Sequence, residues 1–151
     1  MKQLELRRHA RRDPASDALS AEGRSQAERL GARATATYDR VFVSPARRAA
    51  ETAAWFLRGA GQQLPDHSVV PGLGGQDETG GSADGMAAGV RALLGQLPDG
   101  GRALAISHTP FVERAAAGLG HPVAAFRECE GILVTQHDDG GIVVEELRLE
   151  G

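Results

Sequence analysis

The chain has 151 residues, a formal net charge of −3 and a single cysteine, Cys129, which excludes an internal disulfide and a cysteine-built zinc site. No stretch of 18 apolar residues occurs, so no membrane span is expected, and the acidic balance argues against a surface built to coat nucleic acid. The length fits one domain, residues 1–151, and the opening MKQLELRRHARRD lacks a signal-peptide apolar stretch, so a cytoplasmic protein is expected.

In chain order, Leu4 and Leu6 alternate with polar neighbours and predict a first strand ending at the arginines. Ser20 is placed to cap a helix whose inner face is Ala27, Leu30, Gly31 and Ala34. Val41-Phe42-Val43 predicts a second strand, and Ala49, Ala53, Phe56 and Ala60 the next helix face, with Trp55 packing beside it. Val69-Val70 is a weaker strand signal, followed by a Gly-rich stretch from Gly72 to Gly89. Ser82 predicts the cap of a helix facing inward through Met86, Val90, Leu93, Leu94 and Leu97. After the Ala103–Ile106 strand, Thr109 reads as a cap and Pro110 as the first residue of a helix that buries Phe111, Ala115 and Leu119 and ends at Gly120. Ile132–Val134 and Ile142–Leu149 close the chain as strands across the hairpin signal His137–Gly141. Strands alternating with helices predict an α/β fold, a three-layer α/β/α sandwich with a mostly parallel central sheet and an antiparallel strand.

The residues with chemistry follow the predicted strands. Arg8 and His9 follow the first, Ser44-Pro45-Ala46-Arg47-Arg48 the second, and Ser107-His108 the strand before the last helix. Open α/β sheets bind ligands at the carboxyl ends of their strands. Two histidines and several arginines delivered there point to phosphate chemistry. Guanidinium forks match phosphate oxygens, and a neutral imidazole is a competent nucleophile.

At these residues the chain resembles the histidine phosphatase, or phosphoglycerate-mutase-like, superfamily, and within it the short SixA-type phosphohistidine phosphatases. The family's Arg-His-Gly signature matches Arg8-His9-Ala10. Its Leu-Ser-x-x-Gly-x-x-Gln-Ala-x-x-Leu pattern matches Leu19 to Leu30, and its Ser-Pro-x-x-Arg-Ala-x-x-Thr-Ala pattern matches Ser44 to Ala53. Its second histidine matches His108 in Ile106-Ser107-His108-Thr109-Pro110. The resemblance implies a phosphoglycerate-mutase-like fold. It also implies that His9 attacks phosphorus and becomes a phosphohistidine while Arg8, Arg48 and His108 bind the phosphoryl oxygens, without metal or other cofactor. Two departures stand out. Ala10 replaces the usual glycine, where a left-handed backbone would disfavour it. Larger members carry a general-acid Glu two residues after a Leu. Here Leu73 is followed by Gly74 and Gly75, and Asp77 and Glu78 are the nearest candidate acids.

Structural readings stand beside these. Arg7, Arg11 and Arg12 read by default as solvated charge, with Arg11 or Arg12 as possible rim residues, and Arg47 reads as surface. Ser44 reads as orienting its loop, Cys129 as inert, and His67, His121 and His137 have no assigned role. The expected partner is a protein carrying phosphohistidine, because the short connection after the third strand leaves the site open. A small phosphomonoester is the alternative substrate, and a non-catalytic phosphate-binding module the alternative of another class. Neither nucleic acid nor membrane is expected as a partner.

Overall fold

The computed structural model describes residues 1–74 and 81–149. Among these residues five strands and four α-helices follow in the order β1 (Lys2–Arg8), α1 (Ala21–Ala32), β2 (Arg40–Val43), α2 (Arg47–Gly59), α3 (Ala83–Gly95), β3 (Arg102–Ser107), α4 (Phe111–Gly118), β4 (Gly131–Gln136) and β5 (Ile142–Leu147). A 3₁₀ turn, Pro71–Gly74, lies between α2 and α3.

The strands form one sheet in the order β2-β3-β1-β4-β5. β2 and β1 pair in parallel with β3, whereas β4 pairs antiparallel with both β1 and β5. Four strands therefore run one way and only β4 opposes them, yet two of the four ladders are antiparallel. The pairing is thus more mixed than the expected mostly parallel sheet. The reason is local: the five-residue hairpin between β4 and β5 has no room for a crossover helix, so those two strands must oppose each other.

Helices cover both faces, which gives the three layers. On one face α3 and α4 pack on Leu4, Leu6, Ala105, Ile132 and Val134. On the other, α1 and α2 pack on Val41, Val43, Leu104 and Ile106. The α1 and α2 backbones approach closely because a Cβ at Gly31 would lie 1.8 Å from the Phe56 carbonyl oxygen.

Ser20 and Ser82 cap α1 and α3 as predicted, each accepting the amide N–H three residues on. Three details differ from the sequence reading. Val69 makes only an isolated bridge to Val43, because Pro71 follows at once and cannot extend a ladder. Pro110 itself occupies the cap position of α4, and the Thr109 hydroxyl turns instead to the Glu113 carboxylate. The buried face of α4 is Val112, Ala115 and Ala116, rotated one position from Phe111 and Leu119, which pack at its margin.

One glycine ties the fold to the site. A Cβ at Gly23 would lie 2.1 Å from the Arg11 carbonyl oxygen, so α1 seats directly against the segment that follows β1. Gly23→Ala is expected to destabilise the fold by about 1–3 kcal/mol, the usual range for overpacking against an unyielding neighbour. A urea titration with a lower midpoint and an unchanged slope would show it.

Candidate active site

The strand register builds the site. β1 and β3 are parallel with Arg8 opposite Ser107, so the next residues, His9 and His108, emerge side by side. β2 flanks β3 with Val43 opposite Ile106, which brings Ser44 alongside. The imidazole rings of His9 and His108 lie 5.4 Å apart, centroid to centroid. Arg48, from the first turn of α2, and Arg8 are close enough to act electrostatically on His9, and Arg48 acts on His108 as well. The sheet edge thus gathers Arg8, His9, Arg48 and His108.

Hydrogen bonds fix the tautomers. Nδ1 of His9 lies 2.7 Å from the Ala10 carbonyl oxygen. A carbonyl only accepts, so Nδ1 carries the proton and Nε2 the lone pair. Ala10 is not among the residues with positive φ, so its methyl group adds no backbone strain. Its amide donates to Thr52 Oγ1 at 2.9 Å, and the Thr52 hydroxyl donates to the Arg48 carbonyl. That chain locks the His9 loop to the helix bearing Arg48.

His108 Nε2 lies 2.6 Å from Ser44 Oγ. The same oxygen accepts from the Ala46 amide. Where the Ser44 hydroxyl donates to His108 Nε2, the ring proton sits on Nδ1. Ser44 orients a histidine, in keeping with its expected orienting part. Nδ1 of His108 is buried without a partner among the described residues, and so is Nε of Arg8. Buried donors are rarely left unsatisfied.

The arginines are anchored at one end. Arg8 Nη1 donates to the Phe126 carbonyl at 2.8 Å and lies 3.8 Å from Glu128. Arg48 Nη1 is bound to the Asp17 carboxylate. In both cases the Nε–Nη2 edge remains for an oxyanion. Asp17 was not anticipated. It also accepts the Arg47 amide at 2.9 Å, and so supplies the cap that Ala46 lacks at the start of α2. Desolvation would raise its pKa, but hydrogen bonds from Arg48 and from the Arg47 and Arg48 amides hold it below the ordinary carboxylate range. Nothing in its immediate sequence, Ala15-Ser16-Asp17-Ala18, distinguishes it from a loop aspartate.

Other expectations resolve as follows. Arg7 is buried, not solvated: Nε donates to Glu5 at 2.6 Å and Nη1 to the Cys129 carbonyl at 2.7 Å. β1 is the middle strand of a sheet covered on both faces, so its second face is buried too. Arg11 pairs with Glu22 at 2.9 Å, and Arg11, Arg12 and Arg47 are all exposed. Burial pushes the Cys129 thiol up to about 12, in keeping with an inert cysteine. His67 and His137 are exposed, and His121 sits near Glu146, all away from this cluster. Asp77 and Glu78 lie outside the described residues. Among the described residues no group of three or more His, Cys, Asp or Glu could hold a metal ion, and no helix is long and apolar enough to cross a membrane.

Both imidazoles are held neutral. Burial, with Arg48 and Arg8 adding repulsion, lowers the pKa of His9 from its usual value against the Ala10 hydrogen bond. Burial, then Arg48 and His9, push His108 down to about 4. If His9 must be neutral to react, the acidic limb of log kcat/KM against pH falls below 6.5. The expected profile for an aryl phosphate, corrected for substrate ionisation, has its acidic midpoint below pH 6.5. A midpoint above 6.5 would contradict a neutral His9 held by this environment.

Residues 3–74 match the family model of the histidine phosphatase superfamily (branch 1). No curated protein matches the chain in sequence. Among solved structures, the protein histidine phosphatase SixA complexed with tungstate is similar at 26% identity, with a TM-score of 0.74 over 97% of this chain and 96% of that one. A phosphoserine phosphatase from Entamoeba histolytica in complex with 3-phosphoglyceric acid is similar in fold at 16% identity and a TM-score of 0.73, covering 99% and 98%. A phosphoglycerate mutase from Bacillus anthracis is similar in fold at 15% identity and a TM-score of 0.74, covering 96% and 92%.

Proposed function

We propose that this chain, whose residues 3–74 match the histidine phosphatase model, is a phosphatase that hydrolyses phosphohistidine on proteins through a covalent phosphohistidine at His9. The observation that carries this reading is the tautomer of His9. Its Nδ1–H is tied to Ala10, so Nε2 is a neutral nucleophile at the carboxyl edge of the sheet.

In the first step the Nε2 lone pair attacks phosphorus in line. The bond from phosphorus to the substrate nitrogen breaks, and that electron pair stays with the departing imidazole. The Nε–Nη2 edges of Arg8 and Arg48 and the Nδ1–H of His108 bind the three phosphoryl oxygens. The buried, unpartnered Arg8 Nε and His108 Nδ1 gain acceptors in this way. In the second step water attacks phosphorus, the P–Nε2 bond breaks, its electron pair returns to Nε2, and the water proton leaves with phosphate or solvent. Tungstate, the ligand of the similar SixA structure, is an oxyanion of the kind this donor set suits.

Phosphohistidine fits a site that needs no strong general acid. An alkyl phosphate leaves as an alkoxide and needs a proton in the transition state. Phosphohistidine leaves as imidazole, whose conjugate acid has a pKa of about 6.5 and whose free ring nitrogen takes a proton from solvent. Wild type is therefore expected to turn over phosphohistidine, and aryl phosphates with acidic phenols, much faster than alkyl phosphates. Equal rates on alkyl phosphates, destroyed by replacing Asp77 and Glu78 with Asn and Gln, would make the protein a general phosphomonoesterase instead.

A further inference from the structure

Beside the histidine cluster lies a groove of about 720 Å³, between α1 and Arg127, Glu128 and Leu149. Its near end is the rim of the site. Arg11 lies two residues beyond His9, and Glu128 approaches Arg8 at 3.8 Å. From there it follows α1 past Ser25 and Gln26, whose modest side chains leave room. Gln26, Arg29 and Leu149 also line an adjoining hollow of about 440 Å³ that continues to Arg33 and Arg148.

The charge along this path is uneven. The whole chain carries a net charge of −3, yet five arginines line the two hollows against two carboxylates, Glu22 and Glu128. Near the site the charges are matched: Arg11 pairs with Glu22, and Glu128 approaches Arg8. Farther along, Arg148 pairs with Glu146, and both Arg127 and Arg148 pair with the buried Glu130, whereas Arg29 and Arg33 are exposed with no carboxylate partner among the described residues. Uncompensated cations along a groove that leads into a phosphate site call for an anionic occupant.

We propose that this groove binds an acidic segment of the protein substrate, with carboxylates set back from the phosphohistidine. The inference rests on the phosphohistidine reading above. Spacing follows from the helix: Arg29 lies about 10 Å and Arg33 about 17 Å beyond Glu22 at 1.5 Å per residue. An extended peptide covers about 3.3 Å per residue. The two favoured acidic residues therefore lie about two residues apart, the nearer one at least about three residues from the phosphohistidine.

The test uses free phosphohistidine and two synthetic phosphohistidine peptides, one with Glu and one with Lys at each of the third to seventh residues from the phosphohistidine on both sides. Wild type is compared with the double variant Arg29→Glu, Arg33→Glu; neither arginine belongs to the phosphate site. The expected kcat/KM of wild type is about fivefold higher for the acidic peptide at low salt, since exposed ion pairs are individually weak. In 0.5 M salt the preference fades, because screening is strong at that ionic strength. The double variant reverses the preference and turns over free phosphohistidine at the wild-type rate. Equal wild-type rates on the two peptides, or a preference unchanged in the double variant, overturn the groove alone. If none of the three substrates is hydrolysed, the phosphohistidine reading fails and the groove assignment falls with it. Tighter binding of a single-stranded RNA oligonucleotide than of the acidic peptide, lost in the double variant, assigns the groove to nucleic acid and likewise overturns the proposal.

Discussion

His9→Ala is expected to show no measurable turnover while still binding phosphate or tungstate within a few-fold of wild type. In the proposed mechanism two jobs are held by different atoms. Nε2 of His9 forms the bond to phosphorus, and no neighbour offers a replacement: His108 Nε2 is engaged with Ser44 at 2.6 Å. Oxyanion binding is assigned to Arg8, Arg48 and His108, whose anchors lie elsewhere, on Phe126, Asp17 and Ser44. Removing the imidazole deletes the covalent route and leaves the donors. Arg48→Ala should do the complementary damage. It weakens oxyanion binding and lowers kcat by about 100- to 1,000-fold, the usual effect of losing one preorganised donor to transition-state charge. Oxyanion affinity by calorimetry, set beside kcat, distinguishes the two variants. Near-wild-type turnover in His9→Ala would falsify the mechanism.

Glu5→Ala should be among the most destabilising single changes in the chain, at about 3–5 kcal/mol, the range for removing one partner of a buried ion pair. Glu5 is 3% exposed and accepts from Arg7 Nε at 2.6 Å, Arg102 Nη2 at 2.8 Å and Tyr38 OH at 2.8 Å. Burial alone would raise its pKa, but Arg7, Arg102 and Tyr38 together hold it below the ordinary value. Its loss strands the Arg7 guanidinium inside the sheet layer. Arg7 also holds the Cys129 carbonyl, and the Cys129 amide in turn donates to the Arg8 carbonyl at 3.1 Å. The damage therefore reaches the strand end that carries the site. The sign of the pH effect follows. With the folded pKa depressed, the stabilisation from Glu5 is present above its unfolded value of 4.5 and is lost as pH falls through the folded value. Urea titrations from pH 7 downward should show wild type weakening below pH 4.5, with Glu5→Ala already weak at pH 7. An unfolding free energy for Glu5→Ala within about 0.5 kcal/mol of wild type would mean the cluster is not structural.

The α/β order, the caps at Ser20 and Ser82, the closing hairpin and the clustering of Arg8, His9, Arg48 and His108 were legible because each has a local signature. Alternation, helical spacing or a motif a few residues long suffices for them. What escaped depends on neighbours remote in sequence. Arg7 read as solvated because its burial follows from β1 being the middle strand, and strand order is not written in the strand itself. Asp17 escaped because its meaning comes from the α2 N-terminus, 30 residues away, that it caps and from the guanidinium it holds. Of the face read for α4, Ala115 is buried as expected, while Phe111 and Leu119 lie at its margin and Val112 and Ala116 take the inner positions, which packing against α3 and the sheet decides. The basic groove was invisible for a related reason. Arg11, Arg29 and Arg127 belong to three separate segments, and only the packing of α1 against the end of the chain makes them one surface.

The central claim is that the phosphoryl group rests on a protein nitrogen between two in-line displacements, and stereochemistry at phosphorus tests it most directly. A chiral, oxygen-isotope-labelled aryl thiophosphate is hydrolysed in water of a third oxygen isotope, and the configuration of the inorganic thiophosphate is determined. Attack by His9 followed by attack by water inverts twice, so the account predicts net retention. Net inversion would mean that water displaces the leaving group directly, and His9 would then not be the nucleophile.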